Sequence, residues 1–397
     1  VKLVFSKDRP QKEGPAGMQT LADLLNSSNG LSFLESKGIF VNQKQFKEQL
    51  KAPARPNLAH HFGVEDKKLI CSGQQVYVDY HQSVVSKIEV LREMDADEEL
   101  FPFFLWVDTD RSGSDNLISK FAWPSPSKKG AITILPPGAK EVEARFARID
   151  SSQLSSAIDK LETHLRGSNK KVEGAKNKYL QLRTLFVNCH AGTLSAFNLQ
   201  LTNFLLIRVL GFTPRSVLLS DQLDKTYILG AVNLFLNRVG DIVQVFNEAR
   251  ESLVWEGVDP QVRSLNEDYL PLFYSCEADN RRLRLHHYID GNDHFAVSTC
   301  KCGRDYKFYL GVDALSIAEI AQTDRWSLDV CFPIFFNDLV SGFVAGKSSA
   351  IYLIILNEVL RKTLDKEPVP ILVPESLRLN GYETSQVDSL IYRYFAE

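Results

Sequence analysis

Between Phe101 and Val107 the chain reads FPFFLWV, a run without a charged side chain or an amide. A strand with one wet face alternates apolar and polar residues, so an uninterrupted apolar run of strand length marks a strand covered on both faces. Such a strand demands a sheet with a layer on each side. Upstream, KLIC (68–71) reads as a strand that stops at Ser72-Gly73-Gln74-Gln75. Asp79 to Arg92 then reads as a helix, with Val84, Val85, Ile88 and Leu91 on one face. Downstream, AITIL (131–135) reads as a third strand, closed by Pro136-Pro137-Gly138. Strand, helix and strand in this order predict an α/β chain with a Rossmann-like parallel sheet.

The 397 residues are 44% apolar and 24% charged, which supplies ample core for such a fold. A net charge of −3 lacks the basic footprint of a DNA-wrapping protein, so nucleic acid is not an expected partner. No apolar run reaches the roughly 18 residues of a spanning helix, and residues 1–15 show no basic-then-apolar leader. No membrane partner and a cytoplasmic location are therefore expected. The six cysteines, Cys71, Cys189, Cys276, Cys300, Cys302 and Cys331, are too scattered for a disulfide framework. Cys71 and Cys331 lie in apolar runs and read as small core residues.

The chain divides into segments by pattern. Residues 1–60 carry short helices (MQTLADLL, QKQFKEQL) and a connector. Residues 61–150 form the first half of the core. Residues 151–190 read as a helical hairpin insertion, joined at Gly167-Ser168-Asn169. Residues 191–270 are the second, helical half. Here an apolar helix ends at Gly211, SVLLS follows as a strand, Asp221 caps the next helix, and a long helix breaks near Gly240. Residues 271–312 read as a small zinc-ribbon-like β insertion. Residues 313–397 complete the core with the helix KSSAIYLIILNEVLRKTL and the strand PVPILVP.

Four constellations could carry chemistry. Ser72-Gly73-Gln74-Gln75 follows a strand and precedes a helix bearing His81 and Lys87. Glycine permits positive φ and close ligand approach, and a helix N-terminus attracts phosphate; the plainer alternative is a tight turn with solvated polar residues. Asp108 and Asp110, extended by Asp115, end the buried strand, where open α/β sheets bind ligands. Carboxylates there can accept from ribose or amines, hold Mg²⁺, or simply cap. Gly346-Lys347-Ser348 opens a helix as a candidate anion site, although the glycine spacing is not that of a P-loop. Cys276-x-x-Asp279 with Cys300-x-Cys302-Gly303 has the spacing of two zinc knuckles around a closed, structural site. His286, His287 or His294 could replace Asp279 as the fourth ligand, and a zinc-free hairpin is the alternative. Cys189 and His190 are sequence neighbours, which do not form a catalytic dyad within a helix or strand.

Together the stretches SGQQVYVDYHQSVVSKIEVL, FPFFLWVDTD, TLSAFNLQLTNFLLIRVLGFTPRSVLLS and RWSLDVCFPIFFNDLVSGFVAGKSSAIYL resemble, in order, the bacillithiol-biosynthesis cysteine-adding enzymes, a family of cysteine ligases. The resemblance spans residues 65–375. It implies a Rossmann-like core related to nucleotidyl-transferring enzymes and class I synthetases. It also implies ATP with Mg²⁺, and amide formation between a cysteine-like amino acid and an amine acceptor. On that resemblance Gln75, His81, Asp108 and Asp110 would carry the chemistry. Ser72, Gly73, Gln74, Lys87, Trp326, Gly346, Lys347, Ser348 and Tyr352 would line the cleft, with Asp329 on the same wall. The family's long C-terminal coiled coil is not expected within these 397 residues; a homo-oligomer is compatible with the sequence.

The acidic cluster lacks the family's His, and Ala350 stands near the family's Glu. A non-catalytic, ligand-binding relative is therefore the alternative. A zinc-ribbon module contacting RNA through NRRLRLHH is a second.

Overall fold

A computed structural model of the protein describes residues 17–51, 57–64, 66–113, 117–122, 131–167, 173–189, 192–329, 339–379 and 389–396. Asp115, His190 and Cys331 lie outside the described residues. In chain order the first strands are β1 (Ile39–Phe40), β2 (Lys68–Gln75), β3 (Leu100–Val107), β4 (Lys120–Ala122), β5 (Ala131–Thr133) and β6 (Ser216–Leu218). They are followed by β7 (Tyr269–Ser275), β8 (Arg282–Asp290), β9 (Asp293–Thr299), β10 (Asp305–Gly311), β11 (Trp326–Leu328), β12 (Gly342–Val344) and β13 (Ile371–Leu372).

Six strands form one all-parallel sheet in the order β1-β13-β12-β2-β3-β6. All eight residues of β3 are buried. Phe101, Phe103, Leu105 and Val107 enter one core, and Leu100, Phe104 and Trp106 enter another. The first core is closed by the helices Thr226–Leu236, Val239–Trp255 and Lys347–Leu364 and by a second sheet. The second core is closed by Gln82–Met94, Ser151–Gly167, Glu173–Val187, Leu194–Leu210 and Leu390–Ala396. The uninterrupted apolar run thus has its expected cause, a layer on each face. This architecture is compatible with a Rossmann-like core.

The second sheet is antiparallel, five-stranded and ordered β10-β9-β8-β7-β11. Leu270, Leu272, Leu285, Ala296, Leu310 and Leu328 turn into the first core, so this sheet shares its apolar interior with the parallel one. The small ribbon expected at 271–312 is accordingly four strands of a larger, co-packed layer. Its polar outer residues mimic a ribbon because only one face is buried.

Other expectations shift as well. The turn expected at Ser72 is strand: Gly73, Gln74 and Gln75 pair with Leu105, Trp106 and Val107, because β3 runs equally far. Gly73 does not adopt positive φ; an added Cβ would lie 3.2 Å from the Leu105 carbonyl oxygen, a close strand contact. The helix begins at Gln82 rather than Asp79, with His81 at its N-cap. AITIL does not join the parallel sheet: Ala131–Thr133 pairs antiparallel with Lys120–Ala122. Asp221 lies within a 3₁₀ turn, Ser220–Gln222, and the next helix starts at Thr226 with Lys225 at its cap. Gly211 ends its helix at φ +64, in the left-handed region expected of a C-terminal glycine. The long helix breaks at Asn237–Arg238, where its halves bend by 79°. Among the described residues no single helix is long and apolar enough to cross a membrane.

Asp79 ties the C-terminal helix to the sheet. Its Oδ1 accepts from the backbone N–H of Tyr80 (2.8 Å) and of Ile391 (3.0 Å). Burial pushes this carboxyl up to about 6, against the pull of those hydrogen bonds. The folded state therefore holds the proton more tightly than the unfolded chain. The associated stability is complete below the unfolded value of 3.8 and is lost as pH rises through about 6. Asp79→Asn keeps the acceptor and removes the charge. It should gain on the wild type by roughly 3 kcal/mol between pH 4 and pH 7 in urea unfolding. A pH-independent difference would refute this role.

Candidate functional site

The carboxyl edge of the parallel sheet is where the chain changes direction. From β2 the connection through Gln82–Met94 leads to β3 on one side; from β12 the connection through Lys347–Leu364 leads to β13 on the other. The carboxyl ends of the neighbouring strands β2 and β12 thus form a topological switch point, the usual ligand position in open α/β sheets. Val344 is in register with Ser72, so Ala345 and Gly346 run on beside Gly73 and Gln74. Ser72 Oγ donates to the Val344 carbonyl at 2.8 Å and fastens the two strands.

Lys87, almost wholly buried, reaches this edge from its helix. Its Nζ donates to the Gly73 carbonyl at 2.7 Å and to Gln74 Oε1 at 3.4 Å, and lies 5.6 Å from the Phe104 ring centroid. A Cβ on Gly346 would be 3.8 Å from Lys87 Cδ, so this ammonium side chain flanks the N-terminus of Lys347–Leu364. The Gly346 N–H donates to Ser349 Oγ at 3.2 Å. The backbone of Lys347 and Ser348 forms the first turn of that helix. Gln75 Oε1 accepts from Gln74 Nε2 (2.7 Å) and from the Tyr77 hydroxyl (3.2 Å). The sequence-derived set Ser72, Gly73, Gln74, Gln75, Lys87 and Gly346 is therefore brought together. Tyr352 lies further along its helix, packed on the first core. His81 makes no side-chain capping bond.

One strand further on, Gln75 faces Val107 and the chain continues into Asp108. Asp108 is buried, and burial pushes its carboxyl upward against the hydrogen bonds from Ser220. The Ser220 N–H donates to it at 3.0 Å and the Ser220 hydroxyl donates to its other oxygen. Asp110 accepts from Arg282 NH1 at 3.1 Å. Both carboxylates are engaged by the fold.

Beyond them lies a buried polar junction between the two sheets. Glu143 is fully buried and takes Arg145 Nε at 2.7 Å, Arg282 Nε at 3.4 Å and the Ser327 hydroxyl. Arg145 NH2 donates to the Trp326 carbonyl at 2.8 Å, and the Arg145 N–H to the Asp108 carbonyl at 3.2 Å. Trp326, expected beside Gly346, thus stands on β11 at this junction. Arg284 pairs with Asp329 at 3.6 Å, and the Tyr269 hydroxyl donates to Asp329 at 2.9 Å. Arg282 and Arg284 also stack on the Phe273 ring, at 3.6 and 4.2 Å from its centroid. Burial draws the Arg282 guanidinium below its ordinary value, against the pull of Asp110 and Glu143. In the RNA-contact alternative Arg282 and Arg284 would face phosphate; in the structure they are engaged in internal ion pairs. The missed partners, Glu143 and Arg145, had one signal: charges two apart within the small apolar run VEARFA.

The four expected metal ligands do converge. Cys276 and Asp279 flank the turn between β7 and β8; Cys300 and Cys302 flank the turn between β9 and β10. All four donor atoms lie within 4.8 Å of one another, and this cluster could hold a metal ion. Cys276 Sγ is 3.5 Å from Cys302 Sγ, and Cys300 Sγ is 3.6 Å from Asp279 Oδ1. Sulfurs at 3.5 Å are too far apart for a disulfide, while a tetrahedron with bonds of about 2.3 Å has edges of about 3.8 Å. Each turn closes on a residue of positive φ, Asn280 at +56° and Gly303 at +90°. The Ala278 N–H (3.4 Å) and the Tyr306 hydroxyl (3.2 Å) donate to Cys276 Sγ.

Burial pushes the Cys300 thiol up to about 12. The Arg304 N–H pulls the exposed Cys302 thiol down. The histidines are occupied elsewhere: His286 Nδ1 meets Asp268 at 3.0 Å, and His287 Nε2 meets His294 Nδ1 at 2.8 Å. Asp279 is accordingly the fourth member of the set.

No family model matches the chain, and no curated protein is similar to it in sequence.

Removing one partner from a buried ion-pair network strands the others. Glu143→Ala should cost about 3–5 kcal/mol in urea unfolding, since it leaves Arg145 and Arg282 buried without their shared carboxylate. A loss below about 1 kcal/mol would show that the junction does not hold the sheets together.

Proposed function

We propose that the switch point at the carboxyl ends of β2 and β12 binds a nucleotide and that the protein is an ATP-dependent ligase joining an amino acid to an amine acceptor. The observation that carries this reading is Lys87, an ammonium group delivered to the carboxyl edge of the sheet at a switch point, beside a helix N-terminus. The reaction class comes from the resemblance of the motif order to that of the bacillithiol cysteine-adding enzymes. In this reading Lys87 and the free N–H groups of Lys347–Leu364 would face phosphate oxygens, with Gln74 and Gln75 offering amides to polar substrate groups. Asp108 and Asp110 would orient the amine side. Mg²⁺ would arrive with the nucleotide. ATP would activate the amino-acid carboxylate, and the acceptor amine would displace the activating group to leave an amide.

A second reading has an observation of its own. Asp108 is held by Ser220 and Asp110 by Arg282, so neither carboxylate stands ready as a base. A relative that binds the ligand without turnover fits that arrangement.

In the same proposal the cluster of Cys276, Asp279, Cys300 and Cys302 holds zinc in a structural role. Three thiolates and a carboxylate suit zinc, and four protein ligands leave no open position.

ATP or ADP at a hundred times its Kd should raise stability by about 2.7 kcal/mol, seen as a thermal upshift. Lys87→Ala should abolish the shift. A shift with amide formation across a panel of amino acids and amines supports the ligase. A shift without turnover selects the second reading, and no shift at millimolar nucleotide removes both. Metal analysis of the same sample should give one zinc per chain, lost in Cys300→Ala.

A further inference from the structure

The metal turns are wired to the exit of β3. Glu141 lies between them. Its carbonyl accepts the Arg282 N–H at 2.8 Å, directly after the turn that carries Cys276 and Asp279. Its N–H donates to the Ser112 carbonyl at 2.9 Å, on the segment leaving Asp110. Its carboxylate takes Lys301 Nζ at 3.0 Å, the residue between Cys300 and Cys302, and lies 3.7 Å from both Arg281 and Arg111. Val142 is bridged to Arg281, and Arg111 to Glu143. The Ala144 N–H donates to the Asp110 carbonyl at 2.9 Å, and the Arg145 N–H to the Asp108 carbonyl at 3.2 Å. Three chain segments thus lie side by side in hydrogen-bonded register: 108–112, 141–145 and 281–282. The outermost of them is fixed by a metal turn.

From this geometry we propose that the metal centre is a positioning device for the candidate cleft, acting through Glu141. Both metal turns meet on that one residue, the first through Arg281 and Arg282 and the second through Lys301. Glu141 sits at φ +69, a left-handed conformation that a non-glycine residue holds only when its surroundings impose it. With the metal bound, the two turns are locked together and the carboxylate has fixed cations on either side. Without it, the turns separate, the 141–145 segment loses its outer edge, and the carbonyls of Asp108 and Asp110 lose register.

This rests on the metal reading, and amide hydrogen exchange with metal analysis separates the two. The whole chain would be compared as zinc-loaded and chelator-stripped protein, each with its zinc content measured. The expected result is at least tenfold faster exchange on stripping at Ser112, Ala144, Arg145 and Arg282, with Phe343 and Ala345 beside β2 unchanged. Glu141→Gln and the surface change Lys301→Ala, with zinc still at one per chain, should each speed exchange at Ala144 and Arg145. Acceleration confined to 276–281 and 300–304 would overturn the coupling and leave the metal centre standing. A chain that takes up no zinc would overturn both.

Discussion

Because β3 buries every one of its side chains, its sheet needs cover on two sides, and the chain has to supply two different layers. One face is covered by helices together with the small β4–β5 hairpin, whose Phe121 and Ile132 lie in the second core. The other face is shared by helices and an antiparallel sheet, since Leu270, Leu285 and Leu310 lie in the same core as Phe103 and Leu105. The second sheet is thus a wall of the first. Its placement beside the carboxyl edge of β3 lets Arg282 reach Asp110.

Two packed sheets do not make an apolar seam where each ends in loops. Here the seam is polar, and Glu143 organises it. A fully buried carboxylate is costly unless its lone pairs are occupied, and Arg145, Arg282 and Ser327 occupy them. Such a junction is directional where an apolar one is not. Arg282 meets Asp110 and Glu143 only in one register of the two sheets. The junction ties the two sheets in one register, while buried ion pairs roughly break even in net stability against apolar replacements.

Local chemistry decided what the sequence revealed. FPFFLWV reports two-sided burial because nothing else tolerates seven such residues in strand length, and Gly211 reports a helix end through its backbone freedom. The cluster that could hold a metal was legible from spacing: two short turns at one end of neighbouring hairpins bring Cys276, Asp279, Cys300 and Cys302 together. Ser72-Gly73-Gln74-Gln75 misled because glycine followed by glutamines has turn composition, while the length of β2 is set by its partner residues in β3, far along the chain (Gln75 pairs with Val107). AITIL misled for the related reason that a short apolar run carries no record of which sheet it joins. The Glu143 junction left almost no trace, since its members lie in four separate segments and meet only through tertiary packing.

That the fourth member of the cluster is Asp279 and not a cysteine is consistent with where the cluster sits. Three thiolates and one carboxylate around a divalent ion leave a net charge of about −2, a considerable field beside a protein surface. Arg281 lies 3.7 Å from Asp279, Lys301 stands between two of the cysteines, and Arg304 follows the second turn. With a metal bound these cations would offset part of that charge, although Arg281 and Lys301 also pair with Glu141 and Arg304 with Glu277. A carboxylate offers a second oxygen that a thiolate does not. Asp279 Oδ1 already accepts the Arg281 N–H at 3.1 Å, so one side chain can ligate and hold the strand that carries Arg282 into the junction. The ligand turn, the surface cations and the buried junction are on this account one continuous electrostatic structure, ordered from the exposed Cys302 inward to Glu143.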